Sequence, residues 1–112
     1  MNEKDNTRLR DMLDNAQRAI KFASGKQRND LDSDEMLAFA IVRCLEIVGE
    51  AASQVSSVTR LGHPQIEWRK IVGMRNRVIH DYGNVDLNIV WETVVMILPE
   101  LITKLEQILP PE

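Results

Sequence analysis

Apolar residues recur at steps of three and four along most of the chain. Leu9, Met12, Leu13, Ala16, Ala19, Ile20 and Ala23 form one such stripe, which predicts an amphipathic first helix ended by Gly25. The polar stretch "GKQRNDLDSD" reads as a connecting loop, with Asp32 or Ser33 as the cap of the next helix. Leu37, Ile41, Cys44, Leu45, Val48, Ala51, Ala52 and Val55 then hold the helical period for about five turns, with Arg43, Glu46 and Glu50 on the opposite side. Gly49 interrupts this second helix at a cost of about 1 kcal/mol against alanine, which points to another backbone passing close by.

"TRLGHPQIEW" reads as a loop, with Pro64 suited to a turn or a first helical position. A third helix is expected from Trp68 to Tyr82, stopping at "GN". A last helical stretch follows, with Asp86 as its cap and Leu98, Leu101, Ile102, Leu105 and Ile108 on its apolar face. Pro99 should kink or break it, because proline lacks an amide donor and crowds the preceding turn. No strand pattern or internal repeat interrupts the series. The expected fold is an all-α, up-and-down bundle of four to five helices, forming a single domain over residues 1–112.

Composition narrows the setting. The chain has 112 residues, of which 44% are hydrophobic and 28% charged, enough apolar material for one core. A lone cysteine, Cys44, rules out an internal disulfide framework, and a buried small hydrophobe is its expected role. The charged opening "MNEKDNTRLRD" and the absence of a long apolar run predict no signal peptide, no membrane anchor and a cytoplasmic address. A net charge of −3 means that any nucleic-acid binding must come from a local basic site.

One local site stands out. "MRNRVIHDY", residues 74–82, places two arginines, an asparagine, a histidine and a tyrosine in a helical pattern. On a continuous helix Arg75 falls within the apolar arc of Ile71, Val72, Met74, Val78, Ile79 and Tyr82. It should therefore pair with an acid, face a subunit boundary or line a cleft. His80 would project about 140° from Arg75, while Asn76 and His80 would share a face and Arg77 and Asp81 would form a surface ion pair. A histidine transfers protons near neutral pH and an arginine stabilises phosphoryl charge, a combination suited to phosphodiester cleavage. Residue types alone leave a structural helical protein with a buried ion pair open.

The motif has the form R-x-x-x-x-H-x-Y with asparagine after the first arginine. With "LEIVGEAA", "IEWRKIVGMRNRVIHDYGNVDLNIVWE" and "LPEL" in the same order and spacing, it resembles the HepT-like ribonuclease toxins of the HEPN superfamily. The first 30 residues add only their amphipathic pattern. The resemblance implies an endoribonuclease with Arg75 and His80 as catalytic residues and Asn76 as the polar residue beside the arginine. It implies Tyr82 as the site where a partner nucleotidyltransferase antitoxin adds AMP, in a type VII toxin–antitoxin pair. It also implies a homodimer whose two motifs meet in one cleft, RNA as substrate, and neither metal nor cofactor. Consistent with that, His63 and His80 are the only histidines, and no carboxylate–histidine cluster has ligand spacing. Glu50, on the polar side of the second helix, is a candidate for orienting Arg75. Trp68 and Trp91 are expected as core or interface anchors and His63 as a loop residue. The alternative is a non-catalytic helical module that partners the nucleotidyltransferase without cutting RNA.

Overall fold

The computed structural model describes residues 2–79 and 84–111. Helix α1 spans Glu3–Ala23 and is capped by Asn2, whose side-chain oxygen accepts the Asp5 amide at 2.8 Å. Its stripe from Leu9 to Ala23 is buried apart from the half-buried Ile20, and Gly25 supplies the left-handed turn (φ 76°) beyond its end. The "GKQRNDLDSD" stretch contains a short helix, α2 (Asp30–Ser33). The cap of the next helix is Asp34, not Asp32 or Ser33, because those two residues are taken up in α2. The Asp34 carboxylate accepts the Leu37 amide at 3.1 Å.

Helix α3 (Glu35–Ser53) is the centre of the molecule, packed along α1 on one side and against the 68–78 region on another. Ile41, Leu45, Val48 and Ala52 are fully buried. A second correction concerns "TRLGHPQIEW": its first four residues belong to helix α4 (Ser57–Gly62), whose cap is the hydroxyl of Ser56. The Ser56 cap starts a helix ahead of this stretch and carries it through Gly62. Pro64 lies in the turn that follows.

A third correction bears on the site. The expected helix from Trp68 to Tyr82 is two short ones, α5 (Trp68–Val72) and α6 (Met74–Val78), hinged at Gly73. Ile79 is already extended (φ −112°, ψ 113°), pairs with Val85 in an isolated antiparallel bridge, and so ends the helix before His80. Among the described residues this bridge is the only β pairing. Trp68 anchors the start of α5, its indole N–H donating to the His63 carbonyl at 3.0 Å under the Arg60 guanidinium.

The last stretch begins as expected at Asp86, whose carboxylate accepts the Asn88 and Ile89 amides. Helix α7 (Leu87–Glu92) passes through a π turn (Thr93–Ile97) into α8 (Leu98–Ile108). Pro99 therefore does not interrupt the helical run. The wider π turn immediately precedes it, with the Leu98 amide bonding back to the Thr93 carbonyl five residues earlier, and this local widening accommodates a ring that would crowd a regular α turn. The all-α class holds. No helix among the described residues is long and apolar enough to cross a membrane.

One buried charge was not foreseen. Asp5 is 2% exposed, and its carboxylate accepts the Ser56 amide at 3.0 Å, the Ser56 hydroxyl at 2.6 Å and the Thr59 hydroxyl at 2.5 Å. The Ser56 hydroxyl first, then the Thr59 hydroxyl and the Ser56 amide, hold this carboxyl below its ordinary range, against a smaller opposing effect of burial. The first turn of α1 is thereby fastened to the start of α4. Cys44 is buried, as expected, and that burial pushes its thiol pKa up.

Candidate active site

Arg75 sits in the first turn of α6. Met74 and Val78, four apart, bury the inner face of this helix, and Arg75 projects from its outer side with 59% of its side chain exposed. The expected apolar arc included Ile71, Val72, Ile79 and Tyr82. The hinge at Gly73 and the extended backbone at Ile79 remove Ile71, Val72 and Ile79 from this helix, so the arginine is not a buried charge. The angle of about 140° drawn between Arg75 and His80 likewise has no meaning across an extended residue.

The backbone around Arg75 is placed by Gly49. A Cβ on that glycine would lie 3.3 Å from the Ile71 carbonyl, 3.5 Å from the Val72 carbonyl and 3.6 Å from the Arg75 amide. The close approach that the glycine implied is therefore present, and the chain it admits is the α5–α6 segment itself. One turn before Gly49 on α3, the Glu46 carboxylate meets Arg75, Nε to Oε2 at 3.3 Å. Arg75 pairs with Glu46, not with the exposed Glu50. The i−3 spacing of Glu46 from Gly49 could have singled it out, had the break at Gly73 been foreseen.

Downstream of Arg75, Val78 and Ile79 pair with Val85 and Asp86 in a fixed base, through the Ile79–Val85 bridge and the Asp86 amide, which donates to the Val78 carbonyl at 2.8 Å. Asp86 then starts α7. Arg28, from the α1–α2 connection, ties this base from outside: its Nε donates to Asn88 Oδ1 at 2.7 Å while Nη1 pairs with Asp32 at 3.2 Å. A depression of ≈ 410 Å³ lined by Arg28, Asn84, Val85, Asp86, Leu87 and Asn88 opens beside this base. Asn76 is exposed on α6. His80, Asp81 and Tyr82 lie outside the described residues, and with them the expected Asn76–His80 face, the Arg77–Asp81 pair and the modification site. A separate groove of ≈ 250 Å³ between α5 and α8, lined in part by Lys70, Met96 and Lys104, holds none of the expected site residues. No group of three or more His, Cys, Asp or Glu residues among the described ones could hold a metal ion.

An all-α fold that presents an exposed, Glu46-paired arginine at the head of an R-x-x-x-x-H-x-Y sequence fits the class of small helical ribonucleases. The sequence model of the family described as Ribonuclease HepT-like matches residues 12–108, and the chain belongs to that family. It is 36% identical over 104 residues to a protein of Caldanaerobacter subterraneus subsp. tengcongensis provisionally named an RNase, a match that covers 93% of each chain. It is 34% identical over 103 residues to a probable ribonuclease HepT of Thermococcus cleftensis, covering 88% of this chain and 94% of the relative. A provisionally named RNase of Methanocaldococcus jannaschii is 33% identical over 101 residues, 90% of this chain and 84% of the relative. No solved structure matches the chain.

Proposed function

We propose that this protein is a metal-independent endoribonuclease of the HEPN type, acting in the cytoplasm as the toxin of a type VII toxin–antitoxin pair. The observation that carries the reading is Arg75: an exposed guanidinium, held at one nitrogen by Glu46, five residues before His80 in the sequence. Its Nη1 and Nη2 make no bond among the described residues, which leaves two parallel donors for the non-bridging oxygens of a phosphodiester. Membership of the HepT-like family and the ribonuclease names of its relatives support the substrate class.

In the proposed reaction His80 takes the proton of an RNA 2′-hydroxyl, whose oxygen attacks the adjacent phosphorus. The P–O5′ bond breaks, the leaving 5′-oxygen is protonated, and a 2′,3′-cyclic phosphate remains. Arg75 stabilises the charge gathering on the phosphoryl oxygens. Asn76, exposed beside the arginine, would hydrogen-bond the same phosphate or ribose. A homodimer would supply a second His80, so that one imidazole acts as base and the other as acid. Met36 (83% exposed) and Phe39 (63% exposed) support an interface on α3, because Phe39 and Glu46 are seven residues apart and so lie on the same side of that helix.

For control, the partner nucleotidyltransferase antitoxin would transfer AMP from ATP to the Tyr82 phenol, the tyrosine oxygen displacing pyrophosphate. The added nucleotide and its negative phosphate would block and repel RNA at a site two residues from His80.

Cleavage in the presence of EDTA, with the 3′ ends of the products examined by mass spectrometry, tests the chemistry. Cyclic phosphate ends are expected. An absolute requirement for Mg²⁺, or products with 3′-hydroxyl ends, would contradict it.

A further inference from the structure

We infer that Glu46 is the positioning residue for Arg75, fixing which edge of the guanidinium faces the phosphate. The inference rests on the reading that Arg75 belongs to the ribonuclease site. Helix α3 holds this arginine at two points one turn apart: Gly49 receives the Arg75 backbone, with its amide 3.6 Å from where a Cβ would stand, and Glu46 receives the side chain at 3.3 Å. Glu46 is set back, with 24% of its side chain exposed against 59% for Arg75, so the carboxylate lies behind the guanidinium and not in front of it.

The nitrogen that makes the contact decides its role. A guanidinium offers two bidentate edges, and a carboxylate competing with substrate would occupy one of them with a pair of bonds. Glu46 instead takes only Nε, through one oxygen. Among the described residues nothing bonds the outer edge of Nη1 and Nη2, and the side chain cannot swing about its many rotatable bonds without losing the Glu46 contact. A carboxylate that merely neutralised Arg75 would act as a brake, and its removal would speed cleavage. One that aims the guanidinium slows cleavage when removed. The sign of the effect therefore separates the two roles.

The test compares wild type with Glu46→Ala and Glu46→Gln, each also in an Arg75→Lys background, using a quenched fluorescent RNA oligonucleotide of mixed sequence. Glu46→Ala should lower kcat tenfold or more, on the order expected when a group serving the transition state is misplaced by about 1 Å, with KM changing by less than about threefold. Glu46→Gln, which keeps an acceptor oxygen, should lose less. Melting should shift by less than about 4 °C, because an exposed ion pair contributes little to stability. In the Arg75→Lys background neither change should cost more, since lysine has no Nε edge to be held. The side-chain Nε–H signal of Arg75 in ¹H–¹⁵N spectra should be sharp in wild type and exchange-broadened in Glu46→Ala.

Cleavage by Glu46→Ala at or above the wild-type rate, an equal loss in both backgrounds, or an unchanged Arg75 Nε–H signal would each overturn the inference. If Arg75→Ala cuts RNA as fast as wild type, the proposed function fails. If Arg75→Ala is inactive while Glu46→Ala is not, only the positioning role fails.

Discussion

Removing the Asp5 carboxylate should destabilise the whole fold, although the residue lies in the first turn of a terminal helix. In Asp5→Ala three donors lose their acceptor at once: the Ser56 amide, the Ser56 hydroxyl and the Thr59 hydroxyl. Hydrogen bonds to a charged group contribute about 1.5–3 kcal/mol, and a negative charge at the start of a helix adds about 0.3–1 kcal/mol through the helix dipole. The three bonds share one carboxylate and the space left by truncation can admit a water that re-satisfies part of the donors, so their contributions do not add and a total near that of one such bond applies. A loss of about 2–3 kcal/mol lowers the melting temperature by about 8–15 °C in a domain of this size.

The pH dependence has a definite sign. The folded-state pKa of Asp5 lies below its unfolded value, so the stabilisation is complete above the unfolded pKa of about 3.9 and is lost as pH falls through the folded pKa. Circular dichroism melts at 222 nm, at pH 7 and at steps down to pH 3, check both statements. The gap between wild type and Asp5→Ala should be widest near neutrality and should narrow once pH drops below about 4. Equal melting temperatures at pH 7, or a gap that widens in acid, would refute the account of the network.

Three further outcomes follow from the packing. Gly49→Val would force a branched side chain against the Ile71 and Val72 carbonyls, which a bare Cβ would already meet at 3.3 and 3.5 Å, so both melting temperature and RNA cleavage should fall; a variant as active as wild type would show that the α5–α6 segment is not held there. Asp86→Ala removes the cap of α7 and should cost about 1 kcal/mol in a denaturant titration, with no loss at all contradicting the capping geometry. Cys44, buried and with its thiol pKa raised, should resist Ellman's reagent in the native state and react on unfolding in guanidinium, whereas rapid native labelling would place it at the surface.

The long helices were legible because each carries an uninterrupted stripe: from Leu9 to Ala23 and from Leu37 to Val55 every member is buried except Ile20 and Leu37, which are half-buried. Gly49 was legible as a point of close approach for the same reason, since a glycine on the buried side of a good helix has to admit something. What periodicity could not convey was phase across a break. Residues 68–82 fit one helical wheel, yet Gly73 divides them and Ile79 leaves the helix to pair with Val85. The residue types for that bridge were present, as β-branched Val78, Ile79 and Val85 flank a Gly-Asn pair, but a Gly-Asn pair also ends helices, and the local signal does not choose.

The contacts of the site are long-range, which is why they escaped the sequence. Glu46 and Arg75 are 29 positions apart, and Asp5 and Thr59 are 54 apart. Arg75 itself was found through its motif, whereas its exposure depends on the hinge at Gly73. Glu46 and Glu50 both lie on the polar side of α3, and choosing between them requires the register of α6 against that helix, which Gly49 sets.

The central claim is that Arg75 and His80 cut RNA, and His80→Ala tests it most directly. Purified wild type and His80→Ala should be compared on one RNA oligonucleotide in EDTA, with melting curves recorded on the same samples. The account predicts a cleavage rate lower by about 10²–10⁴ for the variant, the usual cost of losing a general acid–base group, at an unchanged melting temperature. Equal rates for the two proteins would contradict it.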